Sequence, residues 1–150
     1  MKTGAKPPAT AVGQAVTLIL TGMAVASAPS EAAPPRGQIT LYCGGGATGN
    51  GGGWIVRADG VMFRTGRKRP GEPDVLDRTT LPPEQVARWH AMLDAAGFDS
   101  LPRGEPSNMT CSLSRRSPSG EHVVLWGGGQ PLPEALRDVV EEISAGGRND

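Results

Sequence analysis

The chain has 150 residues, and its 15 basic and 15 acidic side chains give a formal net charge of zero at neutral pH. Such a near-neutral balance is not typical of proteins that bind nucleic acid, so we expect no nucleic-acid partner. At this length we expect one small domain, which would be only marginally stable without reinforcement.

The first 26 residues have the layout of a secretory signal peptide. Lys2 and Lys6 precede an uncharged run over residues 15–26 that ends in small side chains. The run is shorter than the roughly 20 apolar residues that a membrane-spanning helix needs. We therefore expect cleavage after Ala26, export to the periplasm or the medium, and no stable membrane insertion. A disordered cytoplasmic tail is the alternative interpretation.

Removal of Lys2 and Lys6 leaves 13 basic against 15 acidic residues, a net charge of −2. Residues 27–37 are rich in proline and alanine without periodicity, which is typical of a flexible tether. We expect a single domain over residues 38–144 and a disordered tail over residues 145–150.

Both cysteines of the chain lie after the predicted signal peptide, in segments with the alternating pattern of β-strands. Alternation in QITLYC places Ile39, Leu41 and Cys43 on one face, and alternation in MTCSLSR places Cys111 with apolar neighbours. In an oxidising compartment such a pair is expected to form a disulfide. A metal site that combines the pair with the two histidines is the alternative, but the spacing lacks the close pairs of zinc motifs, and we expect no metal.

Seven glycines fill the segment between Tyr42 and Trp54, within LYCGGGATGNGGGW. Residues 44–49 match G-x-G-x-x-G, but a strand pattern follows where a dinucleotide site requires a helix. No Gly-Lys-Ser/Thr motif occurs, so we expect no nucleotide and no other cofactor. We expect residues 44–53 to form a flexible connection between strands, or a loop that contacts a partner with Asn50 and Trp54 as candidate contacts.

A β-hairpin is predicted next, because Asp59-Gly60 separates two apolar stretches over residues 54–58 and 61–65. Residues 66–80 contain glycine, two prolines and mixed charges with no period, which indicates a loop. Two further short strands, MTCSLSR and EHVVLW, flank the turn sequence RSPSG and should pair antiparallel.

Two helices are predicted from apolar residues at helical spacing. The first begins near Pro83 and stops at Gly97, and Val86, Trp89 and Leu93 form its apolar stripe. The second lies within PEALRDVVEEIS. The element order is β-β-β-α-β-β-α, which indicates an α+β fold with two helices packed on a small antiparallel sheet.

Catalytic chemistry has weak support in this sequence. His90 and His122 are the only histidines, and no nucleophile elbow, H-E-x-x-H motif or concentrated carboxylate pair occurs. We expect His90 to pair along its helix with Asp94 and His122 to be solvated. We therefore predict no catalytic residue and no enzymatic activity, with an enzyme that uses either histidine as the weaker alternative.

Arginines form the other candidate contact surface. A basic run at the end of the hairpin consists of Arg64, Arg67, Lys68 and Arg69, and Arg115 and Arg116 lie at another turn. Together these side chains would form a positive patch for an acidic partner if the two turns were close. Arg67 and Arg69 are our candidate partner-binding residues, although acidic residues that follow the first run favour an ordinary solvated surface.

Three stretches of the second half of the chain share the layout of a known family over residues 81–143: LPPEQVARWHAMLDAAGFDSLP, MTCSLSRRSPSGEHVVLW and PLPEALRDVVEEI. In these stretches the chain resembles the emfourin family of small bacterial proteins that inhibit protealysin and related thermolysin-like metallopeptidases. The resemblance implies a proteinaceous peptidase inhibitor and assigns no inhibitory residue to a position of this chain. The leader, the first hairpin and the cysteine pair lie outside the pattern. An envelope structural or protein-interaction module with another partner is the alternative.

Overall fold

Residues 37–69 and 72–146 are described in a computed structural model of the chain, without the side chains of residues 67–69 and 72–74. The predicted signal peptide, the tether up to residue 36 and residues 147–150 lie outside the described residues. Described residues belong to one compact unit.

Six antiparallel strands form a single sheet in the order β4-β3-β2-β1-β5-β6. The strands are β1 (Ile39–Gly45), β2 (Gly51–Val56), β3 (Val61–Arg69), β4 (Glu72–Thr80), β5 (Met109–Ser117) and β6 (Gly120–Trp126). The helices are α1 (Pro83–Ala95) and α2 (Arg137–Gly146), with short 3₁₀ turns over Phe98–Ser100 and Glu134–Leu136. The predicted α+β class is confirmed, and the predicted elements occur in the predicted order.

The prediction of a loop over residues 66–80 was wrong. β3 continues to Arg69, and β4 pairs with it from Glu72 to Thr80 across irregularities in register. Proline and charged residues made this segment resemble a loop. They are tolerated because β4 is an edge strand, where one side of the backbone needs no partner.

The hairpin between β2 and β3 is confirmed. Val56 lies opposite Met62, and the Arg57 amide donates to the Val61 carbonyl at 2.9 Å. Gly60 has a φ of 84°, so its conformation suits glycine. The Asp59 carboxylate accepts a hydrogen bond from the Val61 amide at 3.1 Å and fixes the turn.

Both helices bury their apolar stripes against one face of the sheet. Trp89 and Leu93 of α1, and Val139 and Ile143 of α2, have at most 1 % of their surface exposed. Apolar residues of five strands complete this core: Ile39, Leu41, Val56, Met62, Leu113, Val124 and Trp126. As predicted, α1 stops before Gly97, whose φ of 63° is left-handed. α2 runs to Gly146, two residues beyond the predicted end of the domain, which was therefore placed too early.

Five of the seven glycines in this segment lie in strands, so the connection between β1 and β2 is confined to residues 46–50 and is shorter than the predicted connection over residues 44–53. Gly44 pairs with Gly51, and Tyr42 pairs with Gly53. The Tyr42 ring lies over the glycine pair, because a Cβ atom at Gly44 or Gly51 would come within 2.7 Å or 2.2 Å of its hydroxyl oxygen. An aromatic ring over glycines restores packing that glycine itself lacks in a sheet. The glycines therefore make room for Tyr42.

Candidate functional site

The predicted disulfide is present. Cys43 of β1 lies directly opposite Cys111 of β5, with the Cα atoms 3.9 Å apart, and the sulfur atoms are bonded. Cys43 follows the alternation of Ile39 and Leu41, but it is exposed, since it lies towards the end of the strand. Cys43 therefore lies on the predicted face of its strand without being buried, whereas Cys111 packs against the core.

A short turn over residues 46–50, the first glycine turn, joins β1 to β2 beside this bridge. The Gly46 amide donates to the Asn108 carbonyl at 2.6 Å, and the Gly49 amide donates to the Gly46 carbonyl at 3.1 Å. At the base of the turn, the Gly45 amide donates to the Asn50 carbonyl at 3.2 Å. Gly46 and Gly49 have φ values of 75° and 62°, which only glycine adopts at little cost. The turn thus has a defined conformation that is hydrogen-bonded to the start of β5.

A second glycine turn, residues 127–129, follows β6 on the other side of β5. All three of its glycines have positive φ, and the Gly127 amide donates to the Gln130 carbonyl at 2.8 Å. It packs closely on the segment before β5, because a Cβ atom at Gly128 would lie 2.2 Å from Ser107 Oγ. Two turns with little side-chain volume therefore flank the first residue of β5.

Met109 is that residue, and 53 % of its surface is exposed. Ser107 Oγ donates to the Met109 carbonyl at 2.6 Å, and the Ser107 amide donates to Thr110 Oγ1 at 2.7 Å. These bonds and the bridge at Cys111 fix the backbone on both sides of Met109. We call the two glycine turns, the disulfide and Met109 together the disulfide end of the sheet.

Of the residues predicted to contact a partner, Asn50 alone belongs to the first glycine turn, where it is exposed. Trp54 is half-buried on the helix-covered face, where it packs against the core. Its indole Nε1 is buried without a hydrogen-bond partner among the described residues. Arg67 and Arg69 belong to β3, opposite Pro73 and Glu72. The structure does not describe their side chains.

The two arginine runs do not form one patch. Arg115 is level with Met62 across β1 and β2, so Arg67 lies five residues further along the sheet and three strands away. At about 3.3 Å per residue, the offset along the strands alone is roughly 16 Å. The condition for a combined positive patch is therefore not met, because the connection between β3 and β4 and the turn between β5 and β6 lie at opposite ends of the sheet.

Arg115 is committed to ion pairs within the fold. Its guanidinium bonds Asp94 at the end of α1 and Asp99 in the following 3₁₀ turn. Burial lowers the pKa of Arg115, but the hydrogen bonds and charges of the two carboxylates outweigh it, so the net shift is upward. Arg116 pairs with Glu121 at 3.4 Å. Arg115 is therefore largely buried in its ion pairs, whereas Arg116 is in an exposed pair.

The histidines lie apart from the disulfide end. His90 is 2 % exposed within α1, so its ring is closed to a substrate in solution. His122 was expected to be solvated, and this was wrong: it is half-buried, meets Phe98 edge to face at 5.3 Å, and its Nε2 lies 3.1 Å from the Leu101 carbonyl. Among residues 37–69 and 72–146, no group of three or more His, Cys, Asp or Glu side chains could hold a metal ion.

The disulfide end does not include the residues that line two depressions in the described surface. One is polar, lies beside the turn between β5 and β6, and is lined by Arg115 and His122 among others. The other is apolar, lies between α1 and α2, and is lined by Met92 and Val139 among others. Both involve residues already used in ion pairs or core packing. The disulfide end instead presents a hydrogen-bonded backbone with one exposed large apolar side chain, Met109, among the described residues.

No protein-family model matches the chain, and the comparison with curated proteins gives no match either. No helix among the described residues is long and apolar enough to cross a membrane. Physical features of the disulfide end, together with the sequence patterns, therefore carry the functional argument.

Proposed function

We propose that this chain is an exported, non-catalytic binding protein that contacts its partner through the disulfide end and inhibits a thermolysin-like metallopeptidase. The leader pattern supports export, and a disulfide suits an oxidising compartment. The resemblance over residues 81–143 supports the class of partner.

The observation that carries the proposal is the fixed conformation of the first glycine turn. Its amides bond to Asn108 and within the turn, and the Cys43–Cys111 bridge lies at its base. A loop already held in its bound shape loses little conformational entropy on binding, so more of the contact energy appears as affinity. This is the property that a loop needs to occupy the cleft of a peptidase tightly.

Shortening the first glycine turn tests this assignment. Replacement of residues 45–50 by Asn-Gly would join the last strand pair, Gly44 and Gly51, by a two-residue hairpin turn. The inhibition constant against a thermolysin-like peptidase should rise by at least about tenfold, or roughly 1.4 kcal/mol. A matched control replaces residues 118–119 of the turn between β5 and β6, at the opposite end of the sheet, by Asn-Gly. Equal inhibition by the shortened variant and the wild type would show that the first glycine turn does not contribute to inhibition.

A protein-interaction module with a different partner is the second candidate, and β4 is the observation that favours it. Val75 and Leu76 of this edge strand are 60 % and 49 % exposed. Replacement of both by serine, compared with charge reversal at Arg67 and Arg69 of the neighbouring strand, would locate such a surface. A partner that is lost with either change but retained by the shortened-turn variant would favour this candidate over the inhibitor.

A further inference from the structure

We propose that the Cys43–Cys111 bridge is a site of thiol–disulfide exchange, which a small thiol attacks at the sulfur of Cys43 and not at that of Cys111. The two cysteines differ in access: Cys43 is exposed, whereas Cys111 is half-buried and packs against the core. Access is one of the factors that set the rate of exchange, and exposed bridges are among the labile ones. Exchange at this bridge does not depend on the peptidase partner proposed above.

The strand pairing fixes the direction from which each sulfur can be attacked. A thiolate attacks a disulfide sulfur in line with the S–S bond, because the leaving sulfur departs on the opposite side. Cys43 of β1 and Cys111 of β5 are directly opposite, so the bond between them runs across the strands. In-line attack on Cys43 therefore comes from the side of β2, and in-line attack on Cys111 comes from the side of β6.

The approach to Cys43 passes over two glycines. Gly52 of β2 lies opposite Cys43, and Gly66 of β3 lies opposite Gly52. The three atoms nearest to a Cβ atom at Gly52 belong to the backbone of β3, and none belongs to a covering side chain. Leu76 bounds the approach beyond Gly66, where a Cβ atom would lie 2.8 Å from Leu76 Cδ1. Two strand spacings, about 10 Å, separate Cys43 from Gly66, which suits a small thiol such as reduced glutathione.

The approach to Cys111 is occupied by a large side chain. Trp126 of β6 lies directly opposite Cys111 and shares its face of the sheet. It is 9 % exposed and belongs to the hydrophobic core, so the indole cannot turn away without leaving a cavity. The β6 side of Cys111 thus carries an indole where the β2 side of Cys43 carries only the hydrogen of Gly52.

The exchange balances as a two-electron reduction of the bridge by two thiols. The attacking thiolate forms a bond to Cys43 Sγ, the bond to Cys111 Sγ breaks, and its electron pair leaves on Cys111 as a thiolate that solvent protonates. A second thiolate then attacks the sulfur of the bound thiol, releases Cys43 and leaves the small thiol as its own disulfide. Because the tie between β1 and β5 beside the first glycine turn is lost, the disulfide end responds to thiols.

Reaction of the oxidised mature protein with excess reduced glutathione tests the direction of attack. Excess N-ethylmaleimide stops the reaction by blocking every free thiol, and mass spectrometry of peptides locates both groups. We expect glutathione on Cys43 with maleimide on Cys111, in at least about tenfold excess over the reverse arrangement. Equal amounts of the two arrangements, an excess of glutathione on Cys111, or no glutathione adduct would overturn the proposal.

Matched variants test the path over the glycines. Gly66→Leu places a side chain on the path and displaces only the flexible end of Leu76, so it should slow the adduct at Cys43 by at least about fivefold. Ser112→Leu is the control, because it adds the same bulk next to Cys111 on the other face of the sheet. Leu76→Ala widens the path and should speed the reaction, which provides a test if Gly66→Leu is unfolded by circular dichroism. Unchanged rates in the folded variants would contradict the path.

Discussion

At the scale of single residues, the glycines fall into two physical classes. Gly49 has a φ of 62° and open space where a side chain would be. Gly53 is buried, and a Cβ atom there would lie 1.9 Å from the Leu41 carbonyl oxygen. Positions such as Gly49 require glycine because their backbone has a positive φ. Positions such as Gly53 require it because two strand backbones approach each other closely there.

These classes predict different costs for the same substitution. Gly49→Ala should lower the free energy of unfolding by about 1 kcal/mol, the usual cost of a left-handed alanine. Gly53→Ala should cost about 3 kcal/mol, because a carbonyl of the paired strand must move. Urea denaturation of both variants measures the difference. Equal destabilisation would contradict the close approach of β1 and β2 at Gly53.

The sequence predicted the glycines that a local turn or helix end requires. It did not predict the glycines that are required by contacts between paired strands. Gly60 follows Asp59 in a turn pattern and Gly97 follows an apolar helical stripe, so both were predicted from neighbours in sequence. Gly44 and Gly51 are required by the Tyr42 ring, which meets both glycines only once β1 and β2 have paired. Glycine disfavours strands by itself, so the segment resembled a loop.

At the scale of elements, a polar cluster joins the two helices. Glu142 of α2 accepts hydrogen bonds from Arg88 at 2.6 and 3.1 Å and from Trp89 Nε1 at 3.1 Å. The hydrogen bond from Arg88 is the main cause that holds the pKa of Glu142 below its usual value. Such a carboxylate stabilises the fold above its unfolded pKa, and the stabilisation disappears as pH falls through the lowered folded value.

Glu142→Gln should therefore lower the melting temperature at pH 7 by a small amount. The amide oxygen can still accept from Trp89, so the loss comes mainly from the charge. As the pH falls through the lowered folded pKa of Glu142, the wild-type carboxylate becomes protonated as well, and the melting temperatures of the two proteins should converge. Thermal melts from pH 7 to pH 2.5 measure this, with Glu141→Gln on the exposed side of α2 as the control. A melting difference that persists unchanged at acid pH would contradict the ionic contribution.

The strand β4 could not be predicted from the sequence. Its composition is mostly polar, and it is a strand because it pairs with the edge of β3. Leu76 also covers Gly66, since a Cβ atom there would lie 2.8 Å from Leu76 Cδ1. Hydrophobic periodicity located the helices because their stripes are continuous in sequence, whereas an edge strand is specified by its neighbour.

At the scale of the whole molecule, the disulfide ties distant parts of the chain together. Cys43 and Cys111 are 68 residues apart, and the loop that they close contains β2, β3, β4 and α1. Alternation placed both cysteines on one face, but their direct opposition depends on β1 and β5 becoming neighbours. The sequence likewise could not show how far apart the two arginine runs lie, because their separation depends on the order of the strands in the sheet.

Loss of the bridge should destabilise the whole domain. On the chain-entropy account, a loop of this length makes the bridge worth about 4 kcal/mol. The Cys43→Ser/Cys111→Ser double variant should show this loss in urea denaturation, and the wild type in a dithiol reductant should match it. A loss below about 1 kcal/mol would mean that the bridge constrains the unfolded chain little.

Titration of a thermolysin-like metallopeptidase with the purified, oxidised mature protein tests the proposed function most directly. Peptidase activity on a peptide substrate would be followed as the concentration of the protein increases. We expect activity to fall to a plateau near one inhibitor per enzyme, and the variant with the shortened first glycine turn to require at least about tenfold more protein. Full peptidase activity at a large molar excess of the wild-type protein would contradict the inhibitory function.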